Sequence, residues 1–472
     1  MRVSHMLTVR LLCSVRKGKW YIALAAAAAM LASASIGAAE RPNILFILAD
    51  DLGYGDPGCY GQTRILTPSI DRIASEGMRF TQAYAGSTVC APSRCSLMTG
   101  LHTGHATVRG NKRPELGLRS GEPDVSTLLK AAGYSTVLVG KWGLGGPGTG
   151  SVPNLRGFDQ FFGYLDQLHA HNYYPGHLWE NQDEFFLTSN WFFQRKEYAP
   201  DLFTRRALEF LRHPPGAPFF MYLCYTLPHA DNELGRLTGN GMEVPSNHPY
   251  SDRDWPDVEK DFAAMVTRMD SDIGRILDLL RETGLDQTTA VFFTSDNGPH
   301  QEGGHDPDFF DSNGALRGIK RDLYEGGIRV PFIARWPGRI KAGTVSDQMV
   351  AFWDFLPTAA DLAGAGIPAE RDGRSIVPTL LGGRQEAPPP LYWEFHERGF
   401  SQAVRTGDWK GVRLDVGRNI ELYDLGTDPG EQNDVAAKHP DMVKNIARLM
   451  DAGHTDSAAF PVKGATAQSP RR

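Results

Sequence analysis

The chain has 472 residues, a formal charge of −6 and 51 glycines. So mild a charge, with no long basic stretch, argues against a nucleic-acid partner. Five cysteines in this length exclude a disulfide-built scaffold, and the length exceeds one ordinary core, so a large domain with a smaller companion is expected.

Residues 1–39 read as a secretory signal peptide. Arg2, Arg10, Arg16, Lys17 and Lys19 form a basic leader, Trp20 to about Leu31 is apolar, and Ala34 or Ala39 offers a cleavage point. The apolar run is short against the ~20 residues of a bilayer span. No membrane span is therefore expected after signal removal, and the mature chain is expected to be periplasmic or secreted. Its thiols are Cys59, Cys90, Cys95 and Cys224.

Strands and helices then alternate. "NILFILA" (Asn43–Ala49) is a strand buried on both faces. "TPSIDRIASEG" is a helix with Thr67 as cap, Pro68 in its first turn and Gly77 at its end. "VSTLLKAAG" is a helix and "YSTVLVGK" a strand; Ala217–Thr226 is another buried strand. A long amphipathic helix ends on Gly284, and "TAVFFTSD" and "VPFIARWP" are strands. This order predicts an α/β large domain, residues 40–384, with a mostly parallel sheet flanked by helices. From 385 to 454 the pattern becomes short strands ("PPPLYWEF", "SQAVRTGDWKGVRL", "IELYDL") and one helix, a small antiparallel sheet. Residues 455–472 lack periodicity and are expected to be a loose tail.

Candidate chemistry collects at strand ends, where open α/β sheets bind ligands. Asp50 and Asp51 close the first strand; Asp296 and Asn297 close the strand near residue 291. Carboxylates gathered there repel unless a cation lies between them, and all-oxygen donors suit calcium or magnesium better than zinc. The plainer reading makes Asp50 and Asp51 helix caps or solvated turn residues. Arg94, Lys141, His229 and Lys320 also follow strands or turns. Singly they read as solvent-facing or structural groups; around a divalent cation they suggest an anionic substrate group. Cys90, in "STVCAPSRCSLMTG", reads as half of a disulfide, a buried apolar residue, a nucleophile or the precursor of another group.

"CAPSRCSLMTG" resembles the signature of the formylglycine-dependent sulfatases, in which Cys-x-Pro-Ser-Arg is the maturation sequence. "GYSTVLVGKWG", "PNILFILADDLGYGD", "YTLPHA", "FFTSDNG", "LYEGGIRVP" and "ELYDLGTDPGEQNDVA" stand in that family's order from about residue 41 to 453. The resemblance implies an alkaline-phosphatase-like fold and a sulfuric ester hydrolase. It implies that a separate formylglycine-generating maturation enzyme oxidises Cys90 to 3-oxoalanine. One hydroxyl of the hydrated aldehyde attacks sulfur and the other expels sulfate. Calcium would be held by Asp50, Asp51, Asp296, Asn297 and residue 90. Arg94 would orient the attacking hydroxyl, Lys141 and Lys320 would hold sulfate oxygens, and His229 would protonate the leaving alcohol.

The second signature commonly ends Gly-Lys-Trp-His, but here reads Gly140-Lys141-Trp142-Gly143. His300 and His305 are candidate replacements for the absent histidine; the plainer reading is a solvated polar loop. "YLDQLHAHNYYPGHLWEN" (Tyr164–Asn181) brings His169, His171 and His177 beside aromatic residues. A zinc site is the rival to a sugar platform there, but the spacing fits no strong zinc pattern. His171 and, from "WEFHE", His396 are further candidates to touch substrate. The expected substrate is a sulfated carbohydrate, with a galactose-type sugar 4-sulfate as the particular guess. A phosphomonoesterase or phosphodiesterase on the same fold, or a sulfated-glycan binding protein without turnover, are the alternatives.

Overall fold

The computed structural model describes residues 41–113 and 115–462. The expected signal peptide lies outside the described residues.

Ten strands form the large sheet: β1 (Asn43–Ala49), β2 (Met78–Phe80), β3 (Ser135–Lys141), β4 (Gln160–Tyr164), β5 (His177–Glu180), β6 (Asp183–Phe186), β7 (Phe219–Cys224), β8 (Thr289–Ser295), β9 (Phe332–Arg335) and β10 (Thr344–Ser346). Their spatial order is β10-β2-β9-β8-β1-β7-β3-β4-β5-β6. The central run β8-β1-β7-β3-β4 is parallel. "VPFIARWP" does supply a strand, but β9 runs antiparallel to β8. At the far edge, β5 and β6 make an antiparallel hairpin on β4.

Alternation along β1 explains its unbroken apolar run. Leu45, Ile47 and Ala49 enter one core with helices α1 (Pro68–Ser75), α4 (Ala199–Arg212) and α5 (Asp257–Glu282). Ile44, Phe46 and Leu48 face the other, with α2 (Cys90–Thr99), α3 (Val125–Ala131) and α6 (Phe355–Ala363). The cap of α1 is not the expected one. Thr67 makes no side-chain cap bond; instead Asp270 of α5 accepts from Ser69 N at 2.9 Å and Ile70 N at 2.7 Å, so a neighbouring helix meets the free amides.

Four antiparallel strands, β11 (Leu391–Phe395), β12 (Ser401–Thr406), β13 (Trp409–Arg413) and β14 (Glu421–Asp424), form the small sheet. One face takes Ile446 and Met450 of α7 (Pro440–Gly453); the other packs Trp393 and Phe395 against Tyr84, Val89 and Trp353. A loose tail was expected over 455–472; residues 455–462 are attached, and 463–472 lie outside the described residues. Thr455 Oγ1 donates to Gly104 O at 2.6 Å, and Phe460 is only 5% exposed.

Candidate active site

The parallel strands deliver their carboxyl ends to one place. Asp50 and Asp51 follow β1, Lys141 ends β3, His229 follows β7, and Asp296 and Asn297 follow β8. Helix α2 enters with Cys90 as its first residue and Pro92 in its first turn, where no amide partner is lost. Arg94 lies one helical turn beyond Cys90, on the same face. All nine expected catalytic and metal residues, Lys320 among them, belong to one buried polar cluster.

Arg94 is its keystone. Nε donates to Asp296 Oδ2 at 3.0 Å, Nη1 to Lys141 O at 2.8 Å, and Nη2 lies 3.4 Å from Asp50 Oδ2. Lys141 Nζ sits 2.6 Å from Asp50 Oδ2. Lys320 Nζ reaches Asp51 Oδ2 at 2.7 Å, Glu302 Oε2 at 3.0 Å and His229 Nε2 at 3.2 Å. Asp51 takes a left-handed φ of 66°. Its amide donates to Asp296 Oδ1 at 3.1 Å and its Oδ1 accepts from Asn297 Nδ2 at 2.7 Å, which holds this strained turn in place.

Charge is tightly balanced. Burial works to raise the Asp50 carboxyl, but Lys141 and Arg94 outweigh it and hold Asp50 well below the usual carboxylate range. Asp296 goes the other way, pushed up to about 7 by burial and by the negative charge of Asp50. Burial, reinforced by Lys320, lowers His229 to about 3. Its Nδ1–H donates to Ala230 O at 2.7 Å, which leaves Nε2 as the acceptor facing Lys320.

Cys90 is 4% exposed, Cys95 is fully buried, and neither is paired. No disulfide joins them. Burial pushes the Cys90 thiol up to about 11, so an unmodified Cys90 is a poor thiolate nucleophile at neutral pH. Its Sγ donates to Gln167 Oε1 at 3.0 Å.

The donor set fits a hard cation. Asp50 Oδ1 and Asn297 Oδ1 are buried with no hydrogen-bond partner, which is costly for acceptors unless something else satisfies them. Asp50, Asp51 and His229 bring one ligand atom each within 4.8 Å of one another.

Cys90, His229, Lys320 and His171 open onto a cavity of about 190 Å³, together with Asn111, Glu115, Gln167, Arg321 and Glu397. His171 lies on this wall, its ring stacked 4.8 Å from that of His229. Three other expected histidines do not line it. His300 Nε2–H donates to Pro228 O at 3.1 Å and its Nδ1 accepts from Glu302 N at 3.0 Å, so both nitrogens are engaged. His305 is buried, bonded to Glu259 at 2.7 Å and stacked 3.7 Å over Phe262. His396 bonds to Glu394 at 2.9 Å, within the small sheet. Part of the aromatic stretch is core: Tyr164 and Tyr173 are buried, and the rings of His169 and His177 meet at 4.5 Å, tilted.

Sequence patterns missed Gln167, Asn111 and Glu302. Gln167 reaches Cys90 across 77 positions, and no local motif marks it. Glu302 stands inside "GPHQEGGHD", between the candidate histidines His300 and His305.

This arrangement defines a hydrolase site built for an anionic ester. A sulfatase family profile matches residues 42–365, and a profile described as N-sulphoglucosamine sulphohydrolase, C-terminal, matches 318–454. The chain belongs to the sulfatase family and is a sulfuric ester hydrolase. It is 32% identical to the N-acetylgalactosamine-6-sulfatase of Canis lupus familiaris, over 88% of this chain and 85% of that protein. It is 30% identical to the N-acetylgalactosamine-6-O-sulfatase of Bacteroides thetaiotaomicron, over 88% and 94%. The crystal structure of Ps i-CgsB in complex with k-i-k-neocarrahexaose superposes with a TM-score of 0.77 at 27% identity, covering 90% of this chain and 96% of that one. The alkaline-phosphatase-like fold implied by the motifs is the fold these sulfatases share.

Proposed function

We propose that this sulfatase hydrolyses a sulfate monoester of a galactose-type sugar, using calcium and a formylglycine at position 90. The observation that carries the reading is the pair of buried, unpartnered oxygens, Asp50 Oδ1 and Asn297 Oδ1, beside Cys90 and three fixed cations. Asp50, Asp51, Asp296, Asn297 and residue 90 would hold calcium, which supplies polarisation of a bound sulfate oxygen. Oxidised Cys90 supplies, as its hydrate, two hydroxyls on one carbon, one to attack sulfur and one to let sulfate depart.

The chain's own residues do the rest. Arg94 stays locked between Asp296 and the Lys141 carbonyl and orients residue 90 from one turn away. Lys141 and Lys320 now neutralise Asp50 and Asp51; with a divalent cation on those carboxylates, each ammonium would have an N–H to turn toward a sulfate oxygen, Lys320 while still anchored by Glu302. His229, whose Nε2 faces Lys320 at the cavity wall, is the group placed to protonate the leaving alcohol. Sulfated carbohydrate is supported by the relatives. Their names favour the 6-position on N-acetylgalactosamine, whereas the stretch Tyr164–Asn181 suggested a 4-sulfate. Periplasmic or secreted location, and dependence on a maturation enzyme, complete the proposal; among the described residues no helix is long and apolar enough to cross a membrane.

The test is an assay of purified protein on galactose and N-acetylgalactosamine 4- and 6-sulfates, with the matching phosphate esters as controls. Release of sulfate from one sugar sulfate and no release of phosphate is expected. Preferential cleavage of phosphate esters would overturn the reading in favour of a phosphoesterase; binding without release would favour a glycan-binding protein.

A further inference from the structure

Gly143 and Gln167 occupy complementary spaces. Gly143 adopts a left-handed φ of 71°, and a Cβ built on it would fall well inside contact distance of Gln167 Nε2. The lack of a side chain at 143 is what admits the Gln167 amide. Gly143 N donates to Leu165 O at 3.0 Å, and Trp142 N to Tyr164 O at 2.9 Å, so the two segments are pinned side by side. A hydrogen bond from Gln167 N to a Glu115 carboxylate oxygen fixes the base of the side chain.

The amide has one consistent orientation. Gly143 O can only accept, so the Nε2 side of Gln167 faces it, at 3.3 Å. Oε1 must then face the cavity, where it accepts from Cys90 Sγ at 3.0 Å. Asn111 Oδ1 stands further from the same sulfur, at 3.7 Å.

We propose that Gln167, admitted by Gly143, is a further positioning residue for the reacting group at position 90, beside Arg94. This rests on the proposed role of residue 90. An amide oxygen accepts a hydrogen bond but takes no proton at neutral pH, so Gln167 sets the rotamer of residue 90 and acts as no base. His300 and His305, both engaged elsewhere, are not needed for that orientation.

The full chain tests this in three forms beside wild type: Gln167→Leu, Gly143→Ala and the double variant. Gln167→Leu keeps volume and removes the acceptor; Gly143→Ala displaces the amide without altering it. Each single change should lower kcat about 10–100-fold, the scale of a small misplacement of a reacting group, with KM within about twofold. The double variant should lose no more than the worse single, because both break one contact. Crystal structures of the unoxidised proteins should show one Cys90 rotamer in wild type and more than one in Gln167→Leu. A folded Gln167→Leu protein with wild-type kcat and a single Cys90 rotamer overturns the inference, as do losses that multiply in the double variant. A wild type that leaves sulfate esters intact overturns the reading of the site instead, while the rotamer comparison still decides the contact.

Discussion

Two buried carboxylate clusters in this chain have opposite characters. Around Glu394 in the small sheet, each oxygen has two donors. Oε1 accepts from Arg109 at 2.8 Å and His396 at 2.9 Å; Oε2 accepts from Tyr392 OH and His454, both at 2.7 Å. Around Asp50 and Asp296, charges are as deeply buried, yet Asp50 Oδ1 and Asn297 Oδ1 have no partner, and a cavity opens at the neighbouring Cys90, His229 and Lys320. A satisfied cluster holds structure together; an unsatisfied one waits for a ligand. Histidine beside a buried acid is thus no sign of chemistry by itself, since His396 belongs to the first kind.

The sharpest break of this contrast is at residue 90. Cys90→Ala should cut sulfate ester hydrolysis by more than ~10⁴-fold while leaving the melting temperature near wild type. Next comes the metal. Chelation should abolish activity, with calcium restoring it better than zinc. Asn297→Leu should weaken calcium binding by at least ~10–100-fold by titration calorimetry; unchanged affinity would remove Asn297 from the site.

Glu394→Gln should act on stability alone, costing about 3–5 kcal/mol in denaturant unfolding because Arg109 loses its buried partner. Burial works to raise Glu394, but His396, His454 and Arg109 outweigh it, so its carboxyl is held below the usual range. Its contribution is therefore fully present above the unfolded value of about 4.3 and is lost as pH falls through the lower folded value. The deficit of the variant should shrink below about pH 4; a deficit constant down to pH 2 would contradict the assignment. The smallest kinetic effect is expected at His305. His305→Ala should lower the melting temperature through loss of the Glu259 bond and the Phe262 stack, and leave kcat within about threefold.

The same contrast explains what the sequence made legible. "NILFILA" and "TAVFFTSD" announce central strands because both of their faces are buried, and the acids that follow them stand at the functional end of the sheet. The hairpin His177–Phe186 escaped notice because edge strands mix Glu, Asp and aromatics with no clean period. Cys90, Arg94, Lys141 and Lys320 were legible through their motifs. Gln167 and Asn111 were not, because tertiary approach alone brings them to the sulfur. His300 and His305 stand in a polar glycine-rich loop that reads as solvated, yet Phe262 and Glu259 bury them.

Residue 90 is proposed to react as formylglycine inside a calcium-binding cluster. Mass spectrometry of the peptide spanning Ala91–Arg94 and residue 90, from protein of known specific activity, tests it most directly. The Cys90 thiol should be replaced by an aldehyde in proportion to activity across preparations. Full activity in a preparation whose Cys90 remains an intact thiol would contradict the account.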